Sequence, residues 1–125
     1  MNIIQTDKAP AAIGPYSQAI RENRFVFTSG QIPLDPATGQ MDNATFAAEV
    51  ERVLANLKEV LKAADCQMKD VMKTTVFLTD MGLFVEFNGI YEKAFGGHKP
   101  ARSTVQVAAL PKGARIEIEA LALVP

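Results

Sequence analysis

The sequence predicts an α+β domain: a mixed β-sheet of about six strands with two helices packed on one face. Three observations carry this. Apolar residues recur at three- and four-residue spacing over residues 45–64, the period of a helix with one buried side. Aromatics repeat in the same way over residues 82–95. Before, between and after these stretches lie runs rich in β-branched and aromatic residues, bounded by glycine, proline and asparagine, which read as strands. The order is strands, helix, strand, helix, strands. Laying both helices on the same side of one sheet is the simplest way to bury their apolar faces.

Composition bounds the function. A chain of 125 residues holds one domain, residues 1–125, and leaves no room for a second. Its 13 basic and 14 acidic side chains give a net charge of −1, so there is no electrostatic footprint for nucleic acid or an anionic membrane. No run approaches the roughly eighteen apolar residues that span a bilayer, and the opening MNIIQTDKAP lacks the apolar core of a secretory signal. The single cysteine, Cys66, excludes an intrachain disulfide framework and fits a reducing cytoplasm.

Residues 1–16 read as a short strand or extended arm followed by a Pro/Gly-rich loop. Residues 18–22 and 24–28 form a hairpin around Asn23, a residue that tolerates a left-handed turn. The two prolines and the glycine of IPLDPATGQ make the next segment a loop. In the first helix, Phe46, Val50, Val53, Leu54, Leu57, Val60 and Leu61 share a face; Asn43 or Thr45 caps its start. Val71 to Leu78, VMKTTVFL, is a strand by its β-branched content. Asp80 caps the second helix, whose stripe is Phe84, Phe87, Tyr91 and Phe95, and Gly96-Gly97 ends it. Two closing strands, about 103–109 and 115–123, read as a hairpin around residues 110–114.

The last strand poses the functional question. Alternation puts Ile116, Ile118, Ala120, Ala122 and Val124 on one face, and Arg115, Glu117, Glu119, Leu121 and Leu123 on the other. The second face is half apolar and faces away from the helices. A surface of that kind on a small domain calls for a partner, so the pattern predicts an oligomer.

Several segments then match a known family in order and spacing: residues 9–18 (APAAIGPYSQ), 28–33 (TSGQIP), 73–78 (KTTVFL), 88–91 (NGIY), 100–103 (PARS), 110–111 (LP) and 116–119 (IEIE). PARS followed by VxVAALPKGxxIEIEA is the most specific of them. Across nearly its whole length the chain resembles the Rid family, the reactive intermediate deaminases. The resemblance implies a chorismate-mutase-like fold and a homotrimer with clefts between subunits. It implies hydrolysis of 2-imino and enamine acids to 2-oxo acids and ammonia, with neither metal nor organic cofactor, in the cytoplasm. Carried over position by position, Arg102 looks like the carboxylate-binding arginine and Glu117 like the carboxylate that handles water. Tyr16, Ser29, Gly30, Asn88 and Thr104 look like residues lining the site. Thr104 stands where many members have cysteine, which argues against a thiol nucleophile there.

Each residue also has a plainer reading. A guanidinium can grip a substrate carboxylate with two parallel hydrogen bonds, or it can make a surface or interface ion pair with Glu117 or Glu119. Glu117 is a proton acceptor and donor, or one of two interface acids. Tyr16 reaches a neighbouring cleft, or it is an aromatic plug. Ser29-Gly30 lets backbone approach a ligand, or it is a bulge. Asn88 touches substrate or bonds a nearby loop. His98, the only histidine, is expected at the surface, with no cluster to make a metal site. Cys66 is expected as a small buried or helix-end residue. Two other classes compete with the deaminase: a trimer that binds a small carboxylic acid without turnover, and an RNA-cleaving translation inhibitor, which the near-neutral charge disfavours.

Overall fold

The computed structural model describes residues 1–125. The elements are β1 (Asn2–Ile4), β2 (Ala19–Glu22), β3 (Phe25–Thr28), α1 (Phe46–Ala63), β4 (Val71–Leu78), α2 (Phe84–Phe95), β5 (Ala101–Gln106) and β6 (Ile116–Leu123). The strands make one six-stranded sheet in the order β1-β2-β3-β6-β4-β5. All pairs are antiparallel except β4 with β5. The mixed sheet with two helices is as expected.

The local signals act as read. Asn23 turns the β2–β3 hairpin at a φ of +54°. Thr45, rather than Asn43, caps α1 by accepting from the Ala48 N–H at 3.0 Å. All seven apolar residues of the α1 stripe are buried, each worth about 1.5–3 kcal/mol of transfer free energy before ordering costs. Asp80 caps a single 3-10 turn, Met81–Leu83, by accepting from the Gly82 N–H, and α2 follows directly. Gly96 closes α2 in the left-handed conformation at a φ of +57°.

The expected closing hairpin does not form. β6 lies between β3 and β4, antiparallel to both, and β5 lies outside β4 as the edge strand. Between them the chain crosses the end of β4, where the Val107 N–H donates to the Leu78 carbonyl and the Thr79 N–H to the Arg115 carbonyl. The reason is burial. Ile116, Ile118, Ala120 and Ala122 fill the core, so β6 belongs in the middle of the sheet. The polar ARSTVQ of β5 tolerates an exposed edge. β5 also begins and ends earlier than the expected 103–109.

Arg115 is a second correction. Alternation put it with Glu117, but it precedes the strand and turns to the helix side. There its guanidinium pairs with Glu49 of α1 and covers the Phe46 ring at 5.8 Å. Glu49 is 1 % exposed and also accepts the Arg115 backbone N–H at 2.9 Å. Glu49→Ala removes the acceptor of the Arg115 backbone N–H and is expected to cost about 1–3 kcal/mol, read as a fall in melting temperature, since the freed guanidinium is partly exposed and regains water. His98 is not a free surface residue either: it is half-buried and its Nε2–H donates to the Val71 carbonyl at 2.6 Å. Cys66 is buried, and burial followed by the nearby Asp70 pushes its thiol pKa up.

Both helices lie on the Ile116 side. The opposite face carries Phe25, Phe27, Lys73, Thr75, Phe77, Glu117, Glu119, Leu121 and Leu123 by register. Phe25 and Phe27 stand 46 % and 52 % exposed there. No helix is long and apolar enough to cross a membrane.

Candidate active site

Glu117 projects from the open face of β6, opposite Phe77. The segment after β3 runs alongside it: the Gln31 N–H donates to the Ile118 carbonyl at 2.8 Å, and the Ile118 N–H returns the bond at 3.2 Å. This bridge sets Gly30 against the Glu117 side chain. A Cβ at Gly30 would overlap the carboxylate, meeting its Cδ at 2.7 Å and its Cγ at 2.9 Å. Glycine is therefore required for close approach. Burial first, and the neighbouring Glu119 second, raise the Glu117 pKa above the ordinary glutamate value. Such a carboxyl holds a proton more readily than an exposed one, which suits a group that must both take and return a proton.

Gly30→Ala should push the Glu117 carboxylate aside while leaving the sheet intact, because the atoms that must yield are the far end of a side chain. If Glu117 is the base, the displacement is expected to lower kcat by about 100-fold with little change in melting temperature. A kinetic assay beside a thermal melt checks this.

Ser29 links Gly30 to the N-terminal loop. Its hydroxyl donates to the Ser17 carbonyl at 2.5 Å, and its N–H to the Gln18 carbonyl at 2.9 Å. The loop is held in turn by Gln18, which is 3 % exposed. Its amide nitrogen reaches the carbonyls of Thr6, Ala9 and Pro10, and its amide oxygen accepts the Thr6 N–H. Sequence reasoning passed over Gln18; a glutamine beside a Pro/Gly-rich loop, which has many free carbonyls, is the signal. Tyr16 rides on this loop, 54 % exposed, beside a hollow edged by Ile3, Ala11 and Gln18.

Arg102 lies elsewhere. It pairs with Thr74 across β4–β5, and Thr74 is buried on the helix side. Arg102 and Glu117 therefore sit on opposite faces of the sheet within one chain. Within one chain Arg102 forms an ion pair with neither Glu117 nor Glu119. Its guanidinium carbon lies 4.9 Å from the Tyr91 ring centroid and 5.5 Å from those of Phe84 and Phe87. Tyr91 shares a 2.7 Å hydrogen bond with Thr74. Burial raises the Tyr91 pKa, against the opposing effects of the Thr74 bond and Arg102, so the phenol stays neutral. The sequence showed these aromatics as a buried stripe, with no sign that an arginine would meet them.

Arg102 and Asn88 share a cavity of about 450 Å³ with Tyr91, Glu92 and His98 on its walls. Thr104 is on the same strand face as Arg102, and its buried hydroxyl oxygen has no hydrogen-bond partner. A larger hollow of about 550 Å³ between α1 and α2, floored by Leu54 and Ile90, holds none of the candidate residues. One chain thus gathers Ser29, Gly30 and Glu117 at one place and Arg102, Asn88 and Thr104 at another, with Tyr16 apart from both.

Residues 6–124 match the family model described as Endoribonuclease L-PSP. The chain belongs to the endoribonuclease L-PSP family. This is the Rid family that the PARS and IEIE segments resemble. Among members of the endoribonuclease L-PSP family, the chain is 52 % identical to the 2-iminobutanoate/2-iminopropanoate deaminase of Mus musculus, over 97 % of this chain and 90 % of that protein. Two solved structures share its fold closely. RidA from the Antarctic bacterium Psychrobacter is 43 % identical with a TM-score of 0.95, covering 98 % of this chain and 99 % of that one. E. coli TdcF, solved with bound serine, is 44 % identical with a TM-score of 0.94, covering 98 % of each chain.

Proposed function

We propose that this chain is a hydrolytic deaminase that converts reactive 2-imino and enamine acids, such as 2-aminoacrylate, 2-iminopropanoate and 2-iminobutanoate, to 2-oxo acids and ammonia. The observation that carries the reading is Arg102: a guanidinium with no carboxylate partner of its own, beside a cavity, in a chain half identical to a named imine deaminase. The bound serine of TdcF supports a ligand of amino-acid size and chemistry.

In this reading the substrate carboxylate docks on Arg102, aided by backbone N–H groups near Gly30 and Thr104. Asn88, Ser29 and Tyr16 line the site. The substrate reacts as its protonated, iminium form: Glu117 takes a proton from water as the water oxygen bonds to C2 and the C=N π pair moves onto nitrogen, giving a neutral carbinolamine. Glu117 then returns its proton to the amine of the carbinolamine. The C–N bond breaks with its electron pair leaving on ammonia, Glu117 takes the C2 hydroxyl proton as the carbonyl of the 2-oxo acid forms, and that proton departs with the ammonia as ammonium. No electrons change hands, so no redox cofactor is required. Imines already hydrolyse in water, and one anchor with one base supplies the modest stabilisation needed.

Arg102 and Glu117 act together only if two copies share a site. A homotrimer, in which the β5 edge and α2 of one subunit approach the open sheet face of the next, supplies that cleft and covers Phe25, Phe27, Leu121 and Leu123. The reduced, buried Cys66 fits a cytoplasmic setting.

The test is a coupled assay: a threonine or serine dehydratase supplies the imine, and 2-oxo acid formation is followed with and without this protein. Acceleration is expected, with trimer mass in light scattering. Binding of a 2-oxo acid without acceleration would favour the non-catalytic binder. The family description keeps RNA cleavage as the second reading. Ribonuclease activity retained in both Glu117→Gln and Arg102→Ala proteins would place it outside this site.

A further inference from the structure

Arg102 raises a question of positioning. A flexible guanidinium is usually fixed by a carboxylate of its own chain, but that partner would compete with a substrate carboxylate for the same N–H fork. Here the fixing groups are aromatic. Phe84, Phe87 and Tyr91 recur at helical spacing on one side of α2, and the guanidinium carbon lies over their rings, 4.9–5.5 Å from the centroids. We infer that these three rings form a clamp, positioning residues that hold the Arg102 guanidinium by their π faces and leave its N–H donors free for the substrate carboxylate. The inference rests on the carboxylate-anchor reading of Arg102.

The geometry argues for a clamp rather than incidental packing. A ring attracts a cation through its negative face and accepts no strong hydrogen bond in the guanidinium plane, so donors remain for an anion. The rings also brace one another, with centroids 6.4 Å apart for Phe84–Phe87 and 5.2 Å for Phe87–Tyr91. Tyr91 is tied further by its buried bond to Thr74. Thr74 is the register partner of Arg102 on the adjacent strand. The clamp and the residue it holds are therefore referenced to the same pair of strands. Asn88, on the same helix, shares the Arg102 cavity, which puts the clamp beside the proposed substrate.

The test compares Tyr91→Leu, Tyr91→Phe and Phe84→Leu in the full-length protein, with the Arg102 Nε–H resonance and the steady-state constants as readouts. In the parent protein that resonance should be shifted by ring currents and move on adding 2-oxobutanoate. Tyr91→Leu should return it toward the random-coil position and raise KM by about tenfold. Tyr91→Phe, which keeps the ring, should recover most of the loss. In an Arg102→Lys background, Tyr91→Leu should change kcat/KM by less than about twofold, because the group it positions is already gone. An equal loss in both backgrounds, or an unmoved Nε–H signal, would overturn the clamp. Where Tyr91→Leu does not fold, Phe84→Leu, half-buried in the first turn of α2, carries the same comparison. If the parent protein shows no deaminase activity, the deaminase reading fails, while the resonance and 2-oxobutanoate binding still decide the clamp.

Discussion

Glu117→Gln is expected to lower kcat by about 10²–10⁴-fold, the usual worth of a positioned general base, while leaving KM nearly unchanged. Glutamine keeps the shape and removes the proton acceptor. The pH profile should carry the same signature. The parent enzyme should lose activity on the acid side with an apparent pKa above the ordinary glutamate value, because burial and Glu119 both favour the protonated form. The residual activity of the variant should lack that limb. Stability runs the other way. A carboxyl whose pKa is raised by folding contributes stability that is present below its unfolded pKa and lost as pH rises through the folded one. Above the folded pKa the ionised Glu117 is thus a burden on the fold, and the neutral amide relieves it. Melting at an equal or higher temperature, together with the loss of turnover, would separate a catalytic acid from a structural one. A variant that unfolds early, or retains full turnover, would remove Glu117 from the mechanism.

Arg102→Ala is expected to reduce kcat/KM by about 100-fold or more, since two charge-assisted hydrogen bonds to a carboxylate contribute about 1.5–3 kcal/mol each. Binding of 2-oxobutanoate by calorimetry should weaken in parallel. Arg102→Lys should recover little, because an ammonium is a point charge and cannot present the planar fork. Retention of full activity by Arg102→Ala would sink the anchor and the proposed reaction with it.

Much of the architecture was legible in the residues. The α1 stripe, the β-branched run of β4 and the Gly96 stop are local patterns, and local patterns report local structure. The exchange of neighbours at the end of the chain was not. The polar residues of β5 and the apolar face of β6 suit an edge strand and a central one, but their pairing partners follow from which edges compete for β6, and that is not a local pattern. The consequence for the site is direct. Alternation put Glu117 on the face away from the helices, and the register agrees. The face of Arg102 followed only once β5 was seen beside β4, with Thr74 as its neighbour. The aromatics of α2 illustrate the same boundary: helical period shows that they are buried, but not that a cation meets them.

The placement of β4 between Glu117 and Arg102 has a genetic consequence. If each centre draws its base from one subunit and its anchor from another, activity is inherited by pairs of chains. Two inactive proteins, Glu117→Gln and Arg102→Ala, denatured and refolded together in equal amounts, should regain turnover, because random assembly gives about one intact centre in four. A chain with both defects should do the opposite. Mixed equally with the parent, it would leave about one quarter of the centres intact rather than one half, and so act as a dominant inhibitor of its own wild type.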